Sequence, residues 1–197
     1  MDTAGSTTRK PGARKLQILQ TLATMLEDPK GEKVTTAALA ARLGVSEAAL
    51  YRHFASKAQM FEGLIEFIET TVFGLINEIS AREASGLRQV RAIVAMLLDF
   101  AQTNKGMTRV LIGDALVNEH ERLQERMNQL IERIESSLKQ SLRVAATERE
   151  VPEGFDPAAR ASLITAYVLG RWQRFAKSGF RKLPAENLET QLPVLVG

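Results

Sequence analysis

Between Glu119 and Glu148 an apolar side chain returns every three or four residues, at Leu123, Met127, Leu130, Ile134, Leu138 and Leu142, with Ile131 beside them. That spacing follows the 3.6-residue turn of an α-helix and conflicts with the two-residue period of a strand. Glu121, Arg122, Glu125, Arg126, Glu132 and Arg133 cover the opposite side, where mixed charge marks a solvated face rather than a nucleic-acid arm. A long helix with one apolar stripe must bury it against other elements. This run therefore commits the chain to a packed helical body.

The rest of the sequence repeats the pattern and offers no convincing strand. Arg14–Leu26 places Leu16, Leu19, Leu22, Ala23 and Leu26 on one face, and Asp28-Pro29-Lys30-Gly31 then breaks the chain. Thr36–Leu43 and Ser46–His53 read as two short helices around Gly44. Ser56-Lys57-Ala58-Gln59 has the form of a capping box, with Ser56 as N-cap and Gln59 reaching back. The long helix it opens is expected to end at a polar break over Ser80–Gly86. Leu87–Thr103, a short helix ending near Ala115, and a helix opened by Asp156-Pro157 follow. A last helix is expected over Pro184–Leu195. The predicted class is all-α, with about nine helices. Its organisation is a basic tail without fixed structure (1–13), a small helical unit (14–57) and a larger body (58–197).

Composition narrows the possible functions. The chain of 197 residues has no cysteine, so disulfides, thiolate metal sites and a cysteine nucleophile are absent together, compatible with a reducing cytoplasm. Its two histidines, His53 and His120, fall in different units, and neither a phosphate-cradling glycine loop nor a nucleophile elbow occurs. No enzyme, metal or cofactor is expected. The longest apolar stretch, Ile93–Leu98, stops at Asp99, far short of the roughly 20 residues of a membrane span. Net charge is only +3, but residues 1–57 carry nine Lys/Arg against five Asp/Glu, while the remainder carries seventeen against eighteen. The positive excess sits wholly in the N-terminal quarter, as expected where a chain meets phosphate.

The segment Thr35–Lys57 meets specific geometric demands. Leu39, Ala40 and Leu43 give its first helix an apolar face, Gly44 suits a left-handed C-terminus, Val45 plugs the turn and Ser46 caps the next helix. Leu50 and Phe54, at i and i+4, point together into the core. Ser46, Glu47, Ala48, Ala49, Tyr51, Arg52 and His53 are left outside. Small residues at Ala48 and Ala49 permit close approach to a groove floor, and Tyr51, Arg52 and His53 can donate to base edges or phosphates. Lys57 opens the following helix, where its charge and free backbone N–H groups favour a phosphate. Thr35 and Thr36, at the start of the first helix, complete the candidate DNA-binding set.

The pattern L-x-x-R-L-G-V-S-x-x-x-L-Y-R-H-F-x-S-K, from Leu39 to Lys57, resembles the helix-turn-helix signature of the TetR repressor family. The resemblance implies three DNA-reading helices and a helical body that dimerises through its last two long helices. A narrower likeness, to the nucleoid occlusion members of that family, runs from Val34 to Glu69. It continues through Asn104, Gly106–Arg109, Arg122–Gln124, Asn128–Leu130 and Glu132–Glu135 to Gly170, Arg174-Phe175 and Ser178. It implies a nucleoid-associated homodimer on palindromic double-stranded DNA that engages the C-terminal tail of the cell-division protein FtsZ. Phe67, Leu75, Leu98 and Asn104 are the positions implied for that tail. The pattern carries arginine where this chain has Leu75 and Thr103, lysine at Ala38 and proline at Ala55, so two cations are missing near the tail site.

The main rival is a ligand-responsive TetR repressor, which needs convergent polar groups in an apolar pocket. Asn77, Asp99, Asp114, His120 and Tyr167 are scattered candidates for such groups and read better as surface or helix-end residues. Trp172 and Phe175 suit a dimer interface better than a pocket.

Overall fold

A computed structural model describes residues 12–28 and 34–196. Most of the expected N-terminal tail and of the break after Asp28 lies outside those residues. The described residues form nine α-helices and no strand: α1 (Ala13–Met25), α2 (Thr36–Leu43), α3 (Glu47–Tyr51), α4 (Lys57–Arg82), α5 (Gly86–Thr103), α6 (Lys105–Leu111), α7 (Glu121–Thr147), α8 (Pro157–Lys177) and α9 (Leu188–Val196). A 3₁₀ turn, Asp114–Leu116, stands between α6 and α7.

Short-range chemistry sets most of the helix starts. The side chains of Thr35, Ser46, Ser56, Ser85 and Asp156 each accept a hydrogen bond from a backbone N–H in the first turn that follows. Each such cap contributes about 1 kcal/mol. Gln59 does reach back, but its Oε1 accepts from Ala55 N at 2.8 Å, one residue before the N-cap.

Two boundaries depart from the sequence pattern. α4 continues through Ser80 to Arg82, because a polar residue on an exposed helix face does not stop the helix. α9 begins at Leu188 rather than Pro184. The Arg171 guanidinium takes the carbonyls of Leu183, Pro184 and Glu186 at 3.0, 2.6 and 2.6 Å, so these groups are held in a turn instead of a helical ladder.

One hydrophobic cluster runs without interruption from Ile18 and Leu39 to Trp172 and Val196. α7 packs along α8, and α5 lies against both. Trp172 and Phe175 are buried inside the single chain, and the Trp172 indole N–H donates to Leu97 O at 3.1 Å. This corrects the expectation that they form a dimer interface: they fill the core, each contributing on the order of 2–3 kcal/mol by burial. α1 docks on α6, where a side-chain carbon at Gly106 would lie 1.9 Å from Ala23 O, so only glycine permits the approach. Beside it, Arg109 donates to Leu26 O and Asp28 O at 3.3 and 3.1 Å.

Candidate nucleic-acid interface

The interface rests on the turn between α2 and α3. Gly44 takes the left-handed conformation (φ 66°) that closes α2. Its N–H and that of Val45 return to Ala41 O and Ala40 O at 3.1 and 3.0 Å, satisfying carbonyls the helix end would leave open. Leu50 and Phe54 are buried and pin α3 from below. The opposite side of this short helix is thereby turned outward.

On that side the candidate residues come together. Tyr51 is 46% exposed, Ala48 and Arg52 are exposed, and Ala49 and His53 are half-buried. Thr35 and Ser46 have a second task as N-caps, since their hydroxyl oxygens accept from Ala38 N and Ala49 N at 3.1 and 3.3 Å. Each keeps its hydroxyl proton for an outside acceptor. The half-buried Thr36 donates to Glu47 Oε2 at 2.6 Å, and the Tyr51 hydroxyl lies 3.5 Å from Thr36 Oγ1. Glu47 therefore ties the start of α2 to the start of α3, a link that spacing within either helix does not reveal.

Lys57, expected to favour a phosphate, already holds a carboxylate within the chain. Its Nζ is paired with Glu119 Oε1 at 2.5 Å, with side-chain exposures of 21% and 11%. Two further pairs join α4 to the start of α7: Arg122 to Glu62 at 2.6 Å, and Arg126 to Glu69 at 3.2 and 2.6 Å through two nitrogens. The hydrogen bond that Arg126 donates to Glu69 is the main reason its pKa is raised, against the opposing effect of burial. At the other end of the junction Asp114 holds Arg109 and Lys177. Burial pushes its pKa up, but the hydrogen bonds from Lys177 and Arg109, with their charges, outweigh that and leave it below the ordinary 3.8.

The second candidate set divides. Phe67 and Leu75 are exposed on the outer face of α4, at 41% and 36%. Asn104 is half-buried between α5 and α6, with its Nδ2 donating to Phe100 O at 2.8 Å. Leu98 is fully buried and belongs to the core, so it cannot meet a partner at the surface. The outward face of α5 runs instead through Ala92, Ala95, Met96, Asp99 and Thr103. Which of Leu98 and Met96 faces outward depends on how α5 is turned within the bundle.

The residues considered for a ligand pocket do not converge. Asn77, Asp99 and His120 are exposed, and His120 Nδ1 caps α7 by accepting from Arg122 N at 3.3 Å. Tyr167 donates to Gln191 Oε1 at 2.6 Å, and its burial raises its pKa. Among the described residues no group of three or more His, Asp or Glu could hold a metal ion, and no helix is long and apolar enough to cross a membrane.

Residues 31–64 match the family model for bacterial regulatory proteins of the tetR family, and residues 84–197 match the SlmA-like model described as a tetracyclin repressor-like, C-terminal domain. The chain is 50% identical over 182 residues to a nucleoid occlusion factor SlmA of Idiomarina loihiensis, covering 92% of this chain and 93% of that relative. The chain belongs to the SlmA-like branch of the TetR family. It is also 50% identical over 182 residues to the SlmA protein of Alteromonas mediterranea, covering 90% of this chain and 91% of the relative. The fold is shared with the fatty acid degradation regulator FadR from Bacillus halodurans, at a TM-score of 0.79 and 13% identity over 96% of this chain and 97% of the other. The helix-turn-helix described above is thus that of a TetR-type DNA-binding regulator, and its body is SlmA-like.

Proposed function

We propose that the protein is a nucleoid occlusion factor: a homodimer on palindromic chromosomal sites that, when DNA-bound, engages the FtsZ tail and opposes ring assembly over the nucleoid. The observation that carries this reading is the extent of the likeness. Half the residues are identical to a protein named as a nucleoid occlusion factor along nine-tenths of the chain, and the SlmA-like model matches residues 84–197 of the body. Recognition helices shared among TetR relatives of different function would not require a matching body.

The proposed division of labour follows the fold. Thr35, Thr36, Ser46, Tyr51, Arg52 and His53 meet bases and phosphates, Ala48 and Ala49 let α3 approach the groove floor, and Lys57 meets a phosphate beside α4. In a dimer, two such units about 34 Å apart match successive major grooves. The outward faces of α7 and α8 are the proposed dimer surface. Leu163, Ala166, Gly170 and Gln173 form an exposed stripe on α8, and a side chain at Gly170 would meet nothing within 4 Å in this chain. Glycine inside a helix costs about 1 kcal/mol relative to alanine, and a closely packed partner helix would account for it. A groove of about 600 Å³ between α6, α7 and α8, lined by Met127, Ile131, Leu169 and Gly170, opens onto the same surface.

The proposed FtsZ surface is the outer face of α4 with the outward face of α5: Phe67, Leu75, Met96 and Asn104, with open space above Gly74. With leucine at 75 and threonine at 103, apolar contact carries more of the binding there than charge. The protein would act in the cytoplasm, on the nucleoid.

Chromosome-wide mapping of binding sites tests the reading against its rival. Many dispersed palindromes are the expected result. A single site at one promoter would favour a local repressor and overturn the proposal.

A further inference from the structure

The Lys57–Glu119 pair joins two parts of the molecule that the DNA-binding reading treats separately. Lys57 is the first residue of α4, directly after the helix-turn-helix. Glu119 lies 62 residues later in the link between the 3₁₀ turn and α7. That link is not part of any helix: Val117 is 64% exposed and Asn118 has φ 63°. Its backbone delivers the carboxylate into a small recess lined by Val34, Phe61, Arg109 and Asp114, where Glu119 is mostly shielded from water. The Lys57 ammonium also sits 5.6 Å from the centre of the Phe61 ring, so its present position is held from two sides.

A phosphate arriving at the start of α4 meets a lysine already neutralised by a carboxylate. A phosphate and the Glu119 carboxylate repel each other across one ammonium, so the phosphate competes with Glu119 for the cation. The remaining pairs, Arg122–Glu62 and Arg126–Glu69, keep α7 fixed to α4 further along. Displacement would therefore release the link over residues 117–120 and leave the rest of the junction in place.

We propose that Glu119 sets the affinity of the protein for DNA by holding Lys57 in an ion pair that a DNA phosphate displaces, and that this exchange reports DNA occupancy to the start of α7. Glu119 is a positioning residue acting through Lys57, and the inference rests on the reading that Lys57 meets a phosphate.

The test uses the full chain and a labelled duplex carrying a site recovered by chromosomal mapping. Replacing Glu119 by glutamine (Glu119→Gln) should tighten binding about fivefold per engaged protomer, the range of a partly exposed ion pair. Lys57→Gln should weaken binding and lower the salt dependence by about 0.9 per lost phosphate contact. In the double variant the gain from Glu119→Gln should vanish. Amide exchange over residues 117–121 should speed up on adding DNA to the unmodified protein and stay unchanged in Lys57→Gln. That measurement decides the matter if Glu119→Gln does not fold. If Lys57→Gln matches the unmodified protein in affinity and salt slope, the phosphate contact fails and the inference with it. If Lys57→Gln weakens binding but folded Glu119→Gln does not tighten it, or the tightening persists without Lys57, only the inference is overturned. Unchanged amide exchange over 117–121 would overturn it as well.

Discussion

The recognition segment and the outer face of α4 and α5 expose their side chains for different reasons. In the segment, exposure is built locally: Ser46 starts α3, Leu50 and Phe54 pin it, and Tyr51 and Arg52 are left outside by the helix period. On α4 and α5, exposure is a tertiary outcome. α4 buries Leu64, Ile68, Val72 and Ile76 and joins α7 through Glu62 and Glu69, and whatever remains uncovered, Phe67 and Leu75 among it, is the free face. A short motif can therefore specify a DNA-reading surface, whereas a protein-binding face on a long helix is defined only when the helix has found its neighbours.

This contrast can be broken by substitution. The largest effect is expected on α5, where Leu98→Ala should lower unfolding stability by about 2–5 kcal/mol, as a fully buried leucine does. Half-buried Met96→Ala should cost much less stability yet reduce FtsZ association. Urea unfolding together with a binding assay separates the two, and equal effects would erase the distinction between core and surface on α5. Tyr51→Ala comes next: loss of one base- or phosphate-directed side chain should weaken DNA binding by about 1–3 kcal/mol, with the unfolding midpoint nearly unchanged. Loss of helicity in that variant would mean Tyr51 supports the fold rather than the interface. Restoring cations with Leu75→Arg and Thr103→Arg should strengthen binding of an acidic FtsZ tail by about 1 kcal/mol, and less at high salt. Titration of a tail peptide checks both the direction and the salt dependence.

The smallest effect concerns the junction between the regions. Asp114 has a folded pKa below its ordinary value of 3.8, so its ionised form contributes stability above that value. The contribution fades as the pH falls through the depressed pKa. Asp114→Asn should therefore shallow the acid side of the stability profile while leaving its slope between pH 6 and pH 8 unaltered on the order of measurement error.

How much of this was legible in the sequence follows the same division. The helix starts at Thr36, after Ser46 and Ser56, and at Asp156-Pro157 could be read because the capping residue and the helix it caps are neighbours in the chain. The left-handed turn at Gly44 could be read for the same reason. Three features could not. The choice of Met96 over the buried Leu98 needed the orientation of α5 within the bundle. The ion pair at Lys57 needed a carboxylate 62 residues away. The late start of α9 needed the Arg171 side chain to claim three carbonyls of the preceding turn. Each depends on contacts between distant segments, which periodicity does not encode.

The central claim is that DNA is the activating ligand of a division inhibitor whose DNA-reading segment leads directly into α4, the helix that carries part of the proposed FtsZ surface further along. Co-sedimentation of the protein with polymerised FtsZ, with and without a duplex carrying its site, tests it most directly. The account predicts clear enrichment in the polymer pellet when the duplex is present, reduced by Phe67→Ala. Pelleting that is absent in both conditions, or indifferent to the duplex, would contradict it.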